Sequence, residues 1–276
     1  MRFGIKTSPQ DTTWAEMLAF WQAADEVELF ESAWNFDHFY PIFSDPKGPC
    51  LEGWTTLTAL AQATSRIRIG CLVTGCIYRH PAILANMAAT VDIVSNGRLE
   101  LGLGAGWNEE ELDGYGIRLG SLTERFDRFD EYLEIVDSLL RNELTSFQGR
   151  HYQLAEARCE PKPVQRPRPP ITIGGTGPKR TLRAAARWAD HWNHPGGAPE
   201  TIAAAKTVLH EHCAAIGRDP SEILTSTHVR YDHSAGPGAV VETVKAIEGV
   251  VDMAIVYVPP PHDPSVIAPL AAALAT

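Results

Sequence analysis

The feature that most constrains the fold is a regular alternation of short apolar strands with amphipathic helices along the whole chain. Eight strand candidates fall at 2–7, 32–36, 66–73, 98–104, 169–175, 189–193, 223–231 and 252–258. Helical patterns follow each of them. Eight β-then-α units in about 250–280 residues are typical of a (β/α)8 barrel. The sequence therefore predicts an α/β fold with one TIM-barrel domain over residues 1–276.

Local signals support the positions of several helices and one insertion. Pro81 stands where a helix begins and Asn96-Gly97 where it ends, and 121–124 has the form of a capping box before a long helix. The proline-rich stretch 146–170 predicts a short hairpin and an irregular connection before the fifth strand. A doubly wound sheet is the alternative, but it needs a dinucleotide fingerprint that the first strand-to-helix turn, 7–14, lacks.

Charge and cysteine content exclude several classes of function. The formal net charge of −10 argues against nucleic acid or an anionic membrane surface as the main partner. The chain shows no signal-peptide pattern and no run of about twenty apolar residues, so we expect a cytoplasmic protein with no membrane span. The five cysteines show no C-x-x-C spacing, which predicts free thiols and no structural zinc.

In a barrel of this kind the active site lies at the carboxyl ends of the strands, which directs attention to two groups of histidines. Asp37 and His38 follow the second strand and could form an acid–base pair, or His38 could make only local hydrogen bonds. His191 and His194 flank Trp192 at the sixth strand, but no further metal-type ligands accompany them. We therefore predict no metal site.

A glycine-rich turn follows the fifth strand. Gly174, Gly175, Thr176 and Gly177 precede a helix whose first turn carries basic residues. Free amides at a helix N-terminus bind anions, and glycines allow a phosphate to approach the backbone closely. The turn therefore predicts a phosphate site, although a plain tight turn with solvated basic residues would show the same pattern.

The fourth strand carries glycine at alternate positions, Gly102, Gly104 and Gly106, which leaves one of its faces without side chains. Either a planar ring lies against this bare face, or a neighbouring element packs closely on it. Trp107, Asn108 and three glutamates follow directly.

Four segments together resemble the luciferase-like monooxygenase superfamily, and most closely its F420-dependent oxidoreductase branch. They are "WNFDHF", "IRIGCLVTGCIYRHPAILANMAATVDIVSNGRLELGLGAGWNEEE", "PKPVQRPRPPITIGGTGPKRTLRAAARWADHWN" and "DMAIVYVPP", in the family's order. The resemblance implies a TIM barrel that binds the deazaflavin coenzyme F420, or alternatively FMN, at the carboxyl end of the strands. It also implies a non-prolyl cis peptide at Cys71-Leu72, behind the ring.

Mapped residue by residue, the resemblance implies a set of cofactor contacts: Asp37, His38, Cys71, Leu72, Thr74, Ala105, Gly106, Trp107, Gly174, Gly175, Thr176 and Gly177. It implies hydride transfer between the cofactor and a small organic substrate, with His38 and Glu109 as catalytic residues. Related sugar-phosphate dehydrogenases carry a glutamate where this chain has Trp107, which argues against a sugar-phosphate substrate. An FMN-dependent monooxygenase and a non-catalytic homologue are the alternatives. A homodimer is implied by the resemblance alone.

Overall fold

A closed barrel of eight parallel strands forms the centre of the molecule; the structure is a computed structural model that describes all residues, 1–276. The strands are β1 (Arg2–Lys6), β2 (Phe30–Asn35), β3 (Arg68–Cys71), β4 (Thr74–Gly75), β5 (Leu99–Gly104), β6 (Thr145–Gln148), β7 (Gln153–Ala157), β8 (Ile171–Gly174), β9 (His191–His194), β10 (Leu224–Arg230) and β11 (Met253–Tyr257). Pairing runs β1-β2-β3-β5-β8-β9-β10-β11 and returns to β1. The predicted (β/α)8 barrel is confirmed.

Helices cover the outside of the barrel. They are α1 (Trp14–Asp25), α2 (Gly53–Ala63), α3 (Pro81–Val94), α4 (Glu109–Gly114), α5 (Leu122–Arg141), α6 (Thr181–Trp188), α7 (Pro199–Ala215), α8 (Pro237–Ala246) and α9 (Ile267–Leu274). Capping boxes begin α1, with Thr13 and Glu16, and α5, with Ser121 and Glu124. The predicted hairpin before the fifth barrel strand is the antiparallel pair β6–β7. No helix is both long enough and apolar enough to cross a membrane.

Asp25 ties the end of α1 to the start of β3. Its carboxylate accepts hydrogen bonds from the amides of Ser65, Arg66 and Ile67 at 2.7, 2.9 and 2.8 Å. Burial raises the pKa of the Asp25 carboxyl, but these hydrogen bonds outweigh it, and the net effect is a lowered pKa. An ionised side chain thus satisfies three amides that no strand or helix partner reaches.

Three tryptophans fill the space between the barrel and its helices, and each indole N–H has a partner. Trp21 donates to the Thr7 hydroxyl at 2.8 Å, and Trp54 donates to the Thr74 hydroxyl at 2.8 Å. Trp192 donates to the carbonyl of Gly175 at 2.9 Å. All three partners lie at carboxyl ends of barrel strands, so these buried side chains fix the backbone on which the site is built.

The third barrel strand breaks at a non-prolyl cis peptide between Leu72 and Val73. The predicted position, Cys71-Leu72, is wrong by one residue. Regular pairing with β2 continues through Cys71, and the Leu72 amide still donates to the Asn35 carbonyl at 2.8 Å, so the break falls after that hydrogen bond. Cys71 consequently stays inside the barrel wall, where its thiol donates to the Asn35 side-chain oxygen at 2.9 Å.

The broken segment explains the glycines of β5. A Cβ added to Gly102 would lie 1.9 Å from the Cys71 carbonyl oxygen, and one added to Gly104 would lie 2.7 Å from Cγ2 of Val73. The bare face of β5 is therefore filled by the backbone and side chains of residues 71–73. Of the two alternatives that the glycine pattern left open, close packing is the one that the structure adopts, because residues 71–73 occupy the space that a ring would need at Gly102 and Gly104.

Candidate active site

Two adjoining cavities open at the carboxyl end of the barrel. We call the first the Trp107 cavity; it has a volume of about 280 Å³ and is lined by His38, Leu72, Val73, Tyr78, Gly106 and Trp107, among others. The second, the Arg230 cavity, has about 500 Å³ and includes Arg230, Val229 and Tyr257 in its lining. Lys6, Phe36 and His228 line both. The two cavities are thus halves of one cleft of the size that small ligands occupy.

His38 projects into the Trp107 cavity from the end of β2. Its Nδ1 lies 2.7 Å from Oε2 of Glu111, and the Tyr78 hydroxyl donates to the same carboxylate oxygen at 2.9 Å. The backbone amide of Phe39 donates to the other oxygen, Oε1. A carboxylate can only accept, so Nδ1 of His38 carries a proton and Nε2 is the nitrogen left for the cavity.

Glu111 is fully buried, and its protonation state depends on these contacts. Burial raises the pKa of its carboxyl, whereas the hydrogen bonds from His38, the Phe39 amide and Tyr78 lower it and dominate. Burial raises the pKa of Tyr78, which keeps the phenol a donor. His38 is therefore held in one tautomer and one orientation by an ionised carboxylate.

The turn after β5 brings Glu111 to this position. The Asn108 side chain accepts a hydrogen bond from the Glu111 amide and begins α4. In the helical phase that this cap sets, Glu111 points inward while Glu109 and Glu110 are exposed. Glu109, predicted as catalytic, does not line either cavity. Its catalytic role stays a prediction, and the carboxylate that contacts His38 is its neighbour two residues later.

Asp37 does not pair with His38. Its carboxylate forms a two-pronged ion pair with Arg79, which also binds Glu52. Burial raises the pKa of the Asp37 carboxyl, and the charge of Arg79 opposes that shift without cancelling it. Of the two alternatives that the sequence left open for His38, the acid–base pair with Asp37 is not formed, because each residue has a different partner. Asp37 supports the loop behind His38 and stays outside the lining of the cavities.

Lys6 and His228 occupy the floor shared by the two cavities. Lys6 Nζ donates to the Leu72 carbonyl at 3.0 Å, and burial lowers the pKa of the amine to about 7. His228 Nε2 is buried with no hydrogen-bond partner. Burial lowers the pKa of His228 well below its usual range, so its ring is neutral. Both groups line the cleft, and Nε2 of His228 is a buried polar atom that no group of the protein satisfies.

The predicted cofactor contacts separate into two sets. His38, Leu72, Gly106 and Trp107 line the Trp107 cavity. The remainder lie outside the lining of both cavities, and a direct contact stays a prediction for them: Asp37, Cys71, Thr74, Ala105, Gly174, Gly175, Thr176 and Gly177. Thr74 is fully buried and accepts from Trp54, while Val73, which the sequence did not single out, forms part of the wall.

The glycine-rich turn leads into α6, which no side chain caps. Gly175 has φ +116°, a conformation open to glycine, and its amide donates to the Asn193 carbonyl at 3.1 Å. Arg180, one of the basic residues that follow the turn, is paired with Asp127 and Asp130 at 2.7 and 2.9 Å. The uncapped helix start still suits a phosphate, but Arg180 is no argument for one.

His191 and His194 have partners that do not suit a metal site. His191 lies between the hydroxyls of Thr172 and Ser226, and burial lowers its pKa to about 3. His194 Nδ1 accepts from the Gly196 amide at 3.2 Å. No group of three His, Cys, Asp or Glu side chains is placed to hold a metal ion. All five cysteines are free thiols.

The fold and this cleft can now be compared with known proteins. Residues 1–249 match the sequence model of the luciferase-like monooxygenase family. The chain belongs to this family. Among curated relatives, the F420-dependent glucose-6-phosphate dehydrogenase of Microbacterium testaceum is 30% identical to this luciferase-like protein over 236 residues, 84% of this chain and 68% of the relative. That similarity covers most of this chain.

Uncharacterised mycobacterial proteins, including one from Mycobacterium tuberculosis, share 35% identity with this family member over 142 residues. The match covers 51% of this chain and 49% of theirs, so the chain spans about half the length of these curated relatives. Among solved structures, an F420-dependent secondary alcohol dehydrogenase in complex with an F420-acetone adduct aligns with a TM-score of 0.87 and 20% identity, over 99% of this chain and 98% of that one. This likeness establishes the shared fold.

The cleft fits the planar ring that the family implies. Leu72, Val73 and Trp107 provide apolar surface for a flat conjugated system, and the buried, unpartnered Nε2 of His228 is a polar atom that a ligand would satisfy. Leu72 and Trp107 would hold the ring, with His38 at its edge. The residues present therefore agree with a bound deazaflavin or flavin.

Sequence reasoning did not select Glu111, Tyr78, Lys6 or His228 as site residues. Glu111 is the last of three consecutive glutamates, and the sequence does not show which of them points inward. Only the cap by Asn108 decides this. Lys6 and His228 stand at carboxyl ends of predicted strands, and this position could have identified them as candidate site residues. Both residues matter because they are buried without charged partners. Side chains from four different strands create that environment, so it cannot be read from the sequence.

Proposed function

We propose that this chain is an F420-dependent oxidoreductase that transfers hydride between the deazaflavin and a small organic substrate. The observation that carries the proposal is the His38–Glu111–Tyr78 cluster, which presents an oriented imidazole to an apolar cavity beside Leu72 and Val73. The names of two relatives support F420 over other cofactors, since a curated relative and an aligned structure are both described as F420-dependent dehydrogenases.

When bound, the deazaflavin would supply the hydride acceptor or donor. The chain's own residues would handle the proton and position the substrate. Glu111 holds His38 with Nδ1 protonated, so Nε2 accepts a proton from a substrate hydroxyl or, once protonated, returns it to a substrate oxygen. Trp107 covers the outer side of the cavity with its ring 5.7 Å from that of His38. We retain Glu109 as a second candidate for proton transfer, on the family resemblance.

Titration of the purified protein with F420 and with FMN, followed by fluorescence, tests the cofactor. We expect saturable binding of F420 and no comparable binding of FMN. Ile42→Trp should weaken F420 binding because it adds bulk at the rim of the Trp107 cavity, whereas Ile83→Trp, on an exposed surface outside it, should not. F420 binding that is equal in both variants would place the cofactor elsewhere.

A flavin-dependent monooxygenase is the second candidate function, and the description of the matching family favours it. Tight FMN binding without an F420 signal would support this alternative and overturn the first. The proposal also includes a homodimer, supported by the family resemblance alone, and a location in the cytoplasm, where the five thiols would stay reduced. Sedimentation velocity measures the oligomeric state directly.

A further inference from the structure

The Arg230 cavity carries basic side chains and no acidic ones. Lys6, His228 and Arg230 line it, together with aromatic and aliphatic groups, and no Asp or Glu is among the lining residues of either cavity. The chain as a whole has 34 acidic and 24 basic residues. A cleft lined by a lysine and an arginine and by no carboxylate, in an acidic protein, is an arrangement that attracts anions.

Lys6 is the most unusual of these groups. It is nine-tenths buried, forms no ion pair, and makes a single hydrogen bond, to the Leu72 carbonyl. Its amine lies 5.0 Å from the ring centre of Phe36 and 5.9 Å from that of Tyr257. An ammonium group has three donors, so two of them have no oxygen acceptor inside the protein. Burial of an unpaired amine is unfavourable, and a bound anion would remove that penalty.

His228 and Arg230 lie on the same strand, β10, and face the same space. The guanidinium carbon of Arg230 stands 5.4 Å from the ring centre of Tyr257, and Arg230 forms no salt bridge with a carboxylate. Nε2 of His228 has no partner. Lys6 and Arg230 thus line this end of the cleft without a carboxylate partner, whereas the neutral ring of His228, which is hydrogen-bonded to the Pro195 backbone, offers Nε2 as an acceptor.

We propose that the Arg230 cavity binds the carboxylate of the organic substrate, with Lys6 as its buried ion-pair partner and Arg230 as a further contact. This rests on the proposed function in one respect, that the carboxylate belongs to the hydride-exchanging substrate. The substrate class is then a small carboxylic acid whose apolar part lies along Phe36, Phe43 and Tyr257, towards the Trp107 cavity.

A carboxylate suits this end of the cleft better than a phosphate or a neutral group. A planar carboxylate needs few charged donors, and one ammonium and one guanidinium match its two oxygens. A phosphate dianion asks for more donors than the lining offers, because the Gly196 amide and the Thr227 and Thr243 hydroxyls in it already donate within the protein. A neutral group would leave the Lys6 amine unpaired.

The groups that face Lys6 determine how binding depends on pH. On β3, the pKa of the Cys71 thiol is raised well above its usual range by burial; on β11, that of Tyr257 is raised. On β10, His228 is neutral and Arg230 charged. His38, backed by Glu111, faces the cleft from β2. Lys6, with its pKa near 7, therefore exchanges a proton near neutral pH, and an anion that pairs with it draws a proton in.

Calorimetric titration of the protein without cofactor, using benzoate and its neutral isostere benzamide, tests the inference. We expect benzoate to bind at least ~10-fold more tightly, the usual worth of a charge-assisted hydrogen bond. Benzoate affinity should fall as pH rises above 7, approaching tenfold per pH unit, with proton uptake visible as different binding enthalpies in PIPES and Tris buffers.

Matched variants locate the site. Lys6→Met should abolish the preference for benzoate and the proton uptake, and Arg230→Gln should weaken benzoate binding several-fold. Lys245→Met is the control, because Lys245 is exposed and pairs with Glu242 outside the cavity lining. Equal loss in the Lys245 variant would show a general charge effect and overturn the assignment. Thermal melting of each variant excludes misfolding as the cause.

The remaining outcomes separate this inference from the proposed function. F420 binding by the native protein with no Lys6-dependent preference for benzoate would refute the carboxylate site and leave the oxidoreductase standing. Lys6-dependent benzoate binding without F420 binding would uphold the site and refute the F420 proposal. Inorganic phosphate that binds more tightly than benzoate, or benzoate that displaces F420 competitively, would overturn the assignment to a substrate carboxylate.

Discussion

Nδ1 of His38 lies 2.7 Å from Oε2 of Glu111, although 73 residues separate the two in the chain. The contact joins the end of β2 to the first turn of α4. It places an ionised, fully buried carboxylate behind the imidazole of His38, which lines the Trp107 cavity and not the Arg230 cavity. The pair resembles in its chemistry the carboxylate–histidine pairs that orient catalytic imidazoles.

Removing either partner of this pair should affect turnover more than cofactor binding. His38→Ala should lower kcat by about 10²–10⁴ while the F420 dissociation constant changes only a few-fold, since a positioned acid–base group acts on the chemical step. Steady-state F420 absorbance assays with a substrate found by screening, together with fluorescence titration, measure both quantities. A large loss of binding with unchanged kcat would show that His38 is only a wall of the cavity.

Glu111 should act as a positioning residue for His38. Glu111→Gln keeps an acceptor for Nδ1 and should reduce kcat by about 10–100-fold, and Glu111→Ala should reduce it further. Glu110→Gln, in the same turn but exposed, is the matched control. Glu109→Gln decides the role predicted for Glu109: a loss as large as that of Glu111→Gln would make it part of the machinery.

The buried amine of Lys6 should destabilise the protein at neutral and acidic pH. Its pKa is about 7 in the folded state and near its ordinary value in the unfolded chain, so between these values only the unfolded state binds the proton. The free energy of unfolding therefore rises by ~1.4 kcal/mol for each pH unit above 7. Below pH 7 this group gives the free energy of unfolding no such pH dependence. Lys6→Met should be more stable than the native protein at pH 6, with a difference that shrinks towards pH 10. Urea denaturation at several pH values measures this.

Asp25 should confer the opposite pH dependence. Its lowered pKa means that its stabilisation is complete above the unfolded value, ~3.9, and is lost as pH falls through the folded pKa. Asp25→Asn should cost about 1–3 kcal/mol at neutral pH, because an amide cannot satisfy all three backbone amides as acceptor. It should also be less sensitive to acid than the native protein. Equal acid sensitivity in both would contradict this account.

Gly102 should tolerate no side chain. Gly102→Ala places a Cβ 1.9 Å from the Cys71 carbonyl oxygen and should destabilise the protein by at least ~3 kcal/mol, through displacement of the β3–β4 segment. Gly238→Ala is the control: nothing lies within 4 Å of its added Cβ, it sits in α8, and it should be neutral or stabilising by up to ~1 kcal/mol. Thermal melting of both variants makes the comparison.

The strands and helices were predictable because apolar periodicity depends on each segment alone. The hairpin β6–β7 and the capping box of α5 follow from local residue types, and His38 was identified by its place at a strand end. The cis peptide at Leu72–Val73 was misplaced by one residue because its position depends on how far β3 stays paired with β2.

The partners of the site residues could not be read from the chain. Asp37 and His38 are neighbours in sequence, yet Asp37 pairs with Arg79 and His38 pairs with Glu111. The reason is that side chains on successive residues point in different directions. The character of Lys6 arises from Leu72, Phe36 and Tyr257, which come from three other parts of the barrel. Burial of a charge is a property of the assembled fold.

Because three glutamates stand in a row at the start of α4, an insertion and a deletion of one residue there should have different effects. The helical phase selects Glu111 and leaves Glu109 and Glu110 in solvent. One residue inserted directly after Asn108 and absorbed by the helix would move Glu110 into the inward position and preserve a carboxylate behind His38. One residue deleted would move Leu112 there and leave the imidazole facing a methyl group. Homologous chains that keep this histidine should therefore accept insertions between β5 and α4 more readily than deletions.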